Sequence, residues 1–119
     1  MSFHLIGVNH NTAPVEVRER LALPESRLPE VCKSLCQQEG IEEGMILSTC
    51  NRVELLVRRR DGVDNLRSFV CEYFHLDPAE YERYFYDYRE EEAVRHIFRV
   101  TSSLDSMVVG EPQILGQVK

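Results

Sequence analysis

Cys50 stands apart from the other three cysteines by its neighbours. Ser48-Thr49-Cys50-Asn51-Arg52 is a polar run between two apolar ones, Met45-Ile46-Leu47 and Val53-Glu54-Leu55-Leu56-Val57, so the thiol is expected in an exposed turn between two strands. A cysteine nucleophile acts as the thiolate and needs a polar, accessible place beside positive charge. Arg52 carries a planar fork that can grip a carboxylate through two hydrogen bonds, and Thr49 with Asn51 can orient further polar groups of a small substrate. The bland alternative is an ordinary polar turn in which Arg52 pairs with Glu54. Cys32 and Cys36 fall on the apolar stripe of a helix and Cys71 lies beside another, where a free cysteine packs as a small hydrophobe. Cysteines at 32, 36, 50 and 71 make no C-x-x-C pair and no zinc-finger spacing, so neither a metal site nor a disulfide framework is expected.

His96 is the second candidate. It falls beside Ala93, Ile97 and Val100 at the edge of an apolar helical face, where a histidine is more often a satisfied core group than an acid or base. His10 follows the first strand in a tight turn, while His4 and His75 have no suggestive company. Glu90-Glu91-Glu92 complements the positive end of a helix, and Arg58-Arg59-Arg60, the one basic cluster, reads as a solvated strand end.

The elements that must place these groups follow from periodicity. Phe3 to Val8 reads as a first strand closed by the turn formers Asn9-His10-Asn11, and Pro14 suits the first turn of a short helix over Val15 to Leu21. Leu28, Val31, Cys32, Leu35 and Cys36 follow helical spacing with Ser26 as the N-cap, and Gly44 ends that region. Leu66, Phe69, Val70, Tyr73 and Phe74 repeat the helical pattern. Tyr84 to Tyr88 has the aromatic composition of a strand, and a last helix begins near Glu90. Strand, helix, strand, strand, helix, strand predicts an α+β domain of the ferredoxin-like split βαβ kind, an antiparallel sheet with helices packed on one face. The tail after Val100 stops without a capped ending and reads as cut short, so the chain is expected to continue in a longer protein.

Composition narrows the function classes. The 119 residues suit one domain, and 43% hydrophobic with 29% charged residues is the balance of a folded globular protein. No apolar run approaches the roughly 20 residues of a membrane span and no signal peptide precedes the first strand, so a cytoplasmic location is expected. A net charge of −6 disfavours capture of nucleic acid by the whole surface.

Three segments together carry a resemblance: Gly7-x-Asn9-His10-x-Thr12-Ala13-Pro14-Val15, Ser48-Thr49-Cys50-Asn51-Arg52-x-Glu54, and Leu104-Asp105-Ser106-Met107-Val108-x-Gly110 continuing through Glu111-Pro112-Gln113-Ile114-Leu115-Gly116-Gln117-Val118-Lys119. In order and over the whole chain they resemble the N-terminal catalytic domain of glutamyl-tRNA reductases, with Ser103 standing where that family commonly has glycine. The resemblance implies NADPH-dependent reduction of glutamyl-tRNA to glutamate-1-semialdehyde, the entry to tetrapyrrole synthesis. It implies that Cys50 attacks the glutamyl ester and forms a thioester, that Thr49, Asn51 and Arg52 hold the substrate, and that Ser106, Glu111, Pro112, Gln113 and Gln117 close over the glutamyl group. His96 aligns with the histidine needed for activity, as base, acid or positioner. The family's partners would be glutamyl-tRNA, a second copy joined through a dimerisation region absent here, and the downstream aminomutase. No G-x-G-x-x-G occurs, so residues 1–119 are expected to lack the NADPH-binding domain and at most to hydrolyse the ester slowly. The rival reading is a small RNA-binding or interaction module without covalent chemistry, which the net charge and the absence of a Gly-rich stacking motif disfavour.

Overall fold

In the computed structural model, which describes residues 1–103 and 108–110, the chain alternates strands with helices over a single antiparallel sheet. The strands are β1 (Ser2–Asn9), β2 (Ile41–Ser48), β3 (Arg52–Arg59), β4 (Tyr86–Arg89) and β5 (Val108–Gly110). They lie in the order β4-β1-β3-β2-β5, with every pairing antiparallel. The first four strands therefore have the expected split βαβ order, and β5 extends the sheet beyond β2. The helices are α1 (Val15–Leu21), α2 (Leu28–Cys36), α3 (Leu66–Tyr73), α4 (Pro78–Tyr81) and α5 (Glu91–Ser103).

Alternation along the strands sorts the side chains into two cores. Ile6, Val8, Ile46, Val53, Leu55 and Val57 point to one face and meet Leu21 of α1, Leu28, Val31, Cys32 and Leu35 of α2, and Leu66, Phe69 and Val70 of α3. Leu5, Met45, Leu47 and Leu56 point to the other face, where Ala93, Ile97 and Val100 of α5 cover them. The expectation of helices on one face is thus corrected: α5 lies on the opposite face from α1, α2 and α3. The sheet's central strands are apolar on both sides, and each apolar side chain fully removed from water contributes about 1.5–3 kcal/mol, which requires a cover on each face.

Local boundaries move for local reasons. Ser26 does not cap α2; residues Glu25–Arg27 form a 3₁₀ turn that runs into it, and Pro29 sits harmlessly in the first helical turn. Gly44 does not end a helical region but lies inside β2, where a Cβ would stand 3.0 Å from Cys36 Sγ and 3.1 Å from Leu35 Cδ2. Its bare backbone lets α2 approach the sheet. β4 begins at Tyr86, because Tyr84 belongs to a 3₁₀ turn.

The basic run is solvated only at its end, where Arg60 is exposed. Arg58 pairs with Glu43, Arg59 is buried against His4 and Asp64, and Arg60 faces Glu39. His4, read as lacking company, is fully buried between Asp87 and Arg59.

Candidate active site

The β2–β3 connection is a tight turn built by Thr49. Its backbone N–H donates to the Arg52 carbonyl at 2.8 Å, and its hydroxyl accepts from the backbone N–H groups of Asn51 and Arg52, each at 3.1 Å. A threonine here satisfies two backbone donors that the turn would otherwise leave to solvent. Cys50 is carried at the exposed tip, whereas Cys32 and Cys71 are buried and Cys36 is half-buried. Burial pushes the Cys71 thiol up, which makes it a poorer nucleophile.

A second element reaches the turn from a distance. α1 follows a β1 end fixed by Asn9, whose side-chain oxygen accepts from the backbone N–H groups of Asn11 and Thr12. This brings Arg18 to the tip, where its Nη1 donates to the Cys50 carbonyl at 2.9 Å while Nε donates to the Ala13 carbonyl. Val15, Arg18, Glu19 and Ala22 of that segment, with Thr49 and Cys50, line an open hollow of about 210 Å³. Cys50 therefore borders this hollow. Arg18 was not legible as a site residue, since nothing in its local sequence links it to a turn 32 positions away.

Arg52 begins β3 on the face covered by α5. Its Nη1 donates to Glu54 Oε2 at 2.9 Å, so the pairing foreseen as the bland alternative is present. Its Nε is buried without a partner among the described residues, so the guanidinium keeps a donor to give. Glu54 also accepts from His96 Nε2 at 2.8 Å and from the Tyr86 hydroxyl. Burial, and then the Glu54 charge, push the Tyr86 hydroxyl far above its ordinary value, which keeps it a donor. Tyr88 and Tyr86 pack against the His96 ring at centroid distances of 4.7 and 5.4 Å.

The structure thus joins Thr49, Cys50, Asn51 and Arg52 in one turn and links His96 to Arg52 through Glu54. Sequence reasoning had Glu54 as the end of a matching motif and as the partner of Arg52 in an ordinary turn, without a role at the site, and did not single out Tyr86. The usable signal was a lone carboxylate inside the apolar run Val53-Glu54-Leu55-Leu56-Val57, since a charge buried in a strand must be paired. Ser106, Glu111, Pro112, Gln113 and Gln117 lie outside the described residues. Among the described residues no three His, Cys, Asp or Glu side chains converge to hold a metal ion, and no helix is long and apolar enough to cross a membrane.

Residues 6–119 match the family model described as "Glutamyl-tRNAGlu reductase, N-terminal domain". Over all 119 residues the chain is 66% identical to "Glutamyl-tRNA reductase 2" of Koribacter versatilis, covering 27% of that protein. It is 48% identical over 122 aligned positions to the glutamyl-tRNA reductase of Trichlorobacter lovleyi, again over the whole chain and 28% of the relative. Among solved structures, the glutamyl-tRNA reductase from Methanopyrus kandleri superposes with a TM-score of 0.62 at 28% identity, covering 88% of this chain and 23% of that one. The chain spans less than a third of the length of the curated relatives it matches.

Proposed function

The chain belongs to the family of glutamyl-tRNA reductase N-terminal domains, and on that premise we propose that it performs the acyl-capture half of glutamyl-tRNA reduction, in the service of tetrapyrrole synthesis. The observation that carries the reading is the exposure of Cys50 alone among the four thiols, at the tip of a turn fixed by Thr49 and Arg18. The Cys50 thiolate attacks the carbonyl carbon of the glutamyl ester. A C–S bond forms, the C–O ester bond breaks, and the ribose hydroxyl of the tRNA leaves with the proton the thiol gave up. No electrons change hands in this step.

Arg52 supplies a donor for the substrate's side-chain carboxylate, and Thr49 with Asn51 orients further polar groups of the substrate. Ser106, Glu111, Pro112, Gln113 and Gln117 form, by resemblance, the segment that closes over the glutamyl group. The cofactor of the family's full reaction is NADPH, and the residues here do not fit it. Glycines stand at 7, 40, 44, 62, 110 and 116, nowhere as the G-x-G-x-x-G fingerprint that seats a dinucleotide pyrophosphate on a helix N-terminus. We place hydride transfer, homodimerisation and contact with the downstream aminomutase in the portion of the longer proteins that this chain does not span, and the protein in the cytoplasm with its charged tRNA.

The test is to incubate the 119-residue chain with tRNA carrying labelled glutamate, with and without NADPH, beside Cys50→Ser. The reading expects transient label on Cys50, then free glutamate and tRNA, with no semialdehyde in either arm. Equal deacylation by wild type and variant removes Cys50 from the chemistry, and semialdehyde made by this chain alone overturns the division of labour.

A further inference from the structure

The carboxylate of Glu54 is fully buried and its Oε2 alone receives Arg52 Nη1, His96 Nε2 and the Tyr86 hydroxyl. Its Oε1 is buried without a partner among the described residues. The four side chains come from three elements: Arg52 and Glu54 from β3, Tyr86 from β4 and His96 from α5. Such a buried ionic cluster contributes little net stability compared with an apolar packing of the same volume, but it fixes direction.

Room for the cluster is made by a missing side chain. Gly7 of β1 lies opposite Glu54 on one side and Tyr86 on the other. A Cβ there would fall 2.9 Å from Glu54 Cγ, 3.1 Å from the Tyr86 hydroxyl and 2.8 Å from the Val53 carbonyl oxygen. Only the bare backbone lets the tyrosine of β4 reach across β1 to the glutamate of β3.

The orientation of His96 follows from its second nitrogen. Arg99 Nη2, which can only donate, lies 3.3 Å from Nδ1, so Nδ1 accepts and the ring proton sits on Nε2, donated to Glu54. Both nitrogens are engaged before any substrate arrives.

We propose that Glu54 and Tyr86 are positioning residues: Glu54 holds the Arg52 guanidinium in a fixed orientation and fixes the His96 tautomer, Tyr86 holds Glu54 in place, and His96, with both ring nitrogens already engaged, acts on the site through Glu54 instead of on the Cys50 thiol. The activity arm of the test rests on the acyl-capture reading, whereas the spectroscopic arm does not.

Nitrogen-15 NMR of the chain reads the His96 tautomer and the solvent exchange of the Arg52 Nε–H in wild type, Glu54→Gln and Tyr86→Phe. The wild type should hold the Nε2–H form with a protected Arg52 Nε–H. Glu54→Gln should mix the tautomers and speed Arg52 exchange about tenfold, the equivalent of one charge-assisted hydrogen bond. Tyr86→Phe, which keeps the ring packing, should do the same to a smaller extent. With glutamyl-tRNA, both variants should lose discrimination between glutamyl and glutaminyl esters while Cys50 alkylation by iodoacetamide stays at the wild-type rate. An Nδ1–H tautomer in the wild type, or unchanged Arg52 exchange in a variant that melts like wild type, overturns the proposal. If Glu54→Gln does not fold, Tyr86→Phe decides. Failure of the wild type to take up label refutes acyl capture and leaves the NMR result to judge the network.

Discussion

The two faces of the sheet each bury a histidine between a carboxylate and an arginine, and they do so to different ends. Under α3, His4 Nε2 donates to Asp87 at 2.9 Å and Arg59 donates to Nδ1 at 2.9 Å. Under α5, His96 Nε2 donates to Glu54 at 2.8 Å with Arg99 at Nδ1. Asp87 has both oxygens engaged, Oδ1 by His4 and Arg89 and Oδ2 by Arg67. Glu54 crowds three donors on one oxygen, and among the described residues neither its other oxygen nor Arg52 Nε has a partner. On the first face the carboxylate is saturated and the group left without a hydrogen bond is Arg67 Nη1, 3.6 Å from Glu82 Oε1; on the second the carboxylate itself keeps an unpartnered oxygen close in sequence to a reactive turn, an arrangement that suits a ligand. The same residue types therefore read as structure on one face and as a site on the other.

The strongest way to break that comparison is at the thiol. Cys50→Ser should lower protein acylation on the order of a thousandfold or more while leaving the melting temperature unchanged, because the side chain is exposed. In wild type, limiting iodoacetamide should label Cys50 ahead of Cys32, Cys36 and Cys71 by peptide mapping; preferential labelling elsewhere would place the reactive site wrongly.

Next in size is Arg52→Lys. The charge stays and the fork is lost, so use of glutamyl ester should weaken by about 1.5 to 3 kcal/mol. Equal losses for glutamyl and glutaminyl esters would deny Arg52 a carboxylate to hold.

On the other face the effect should fall on stability. His4→Gln removes the bridge between Asp87 and Arg59 and should cost about 1–3 kcal/mol in urea unfolding, with acylation kinetics untouched. A kinetic change would show that the two faces are coupled.

The smallest effect is the pH slope. Burial holds His4 below its ordinary value. Burial alone would raise Asp87, but the hydrogen bonds from His4 and Arg89 outweigh it and hold that carboxyl low. The unfolded chain therefore binds the histidine proton first as pH falls through about 6.5. Stability is full above that point and declines below it until folded His4 also protonates; Asp87 extends the loss at lower pH. Melts of wild type between about pH 7 and 5 should fall more steeply than those of His4→Gln, and parallel curves would take His4 out of the acid response.

Much of this was legible in residue order. The apolar runs and helical stripes located the first four strands and the main helices, because burial periodicity is written locally. The turn of Thr49 to Arg52 was equally plain, since its hydrogen bonds span only three residues. The boundary of β4 and the role of Gly44 were not, because Tyr84 and Gly44 answer to neighbours distant in sequence.

What the sequence by itself determined is therefore the polar turn, its exposed thiol and the split βαβ strand order. Tertiary structure alone decided that α5 covers the second face, that Arg18 anchors the tip, and that Gly7, Glu54, Tyr86 and His96 meet. The reason is range: periodicity and turn chemistry act over a few residues, while the partner of a buried charge is chosen by which strands pair and which helix covers them, contacts that span 32 positions for Tyr86 and 42 for His96.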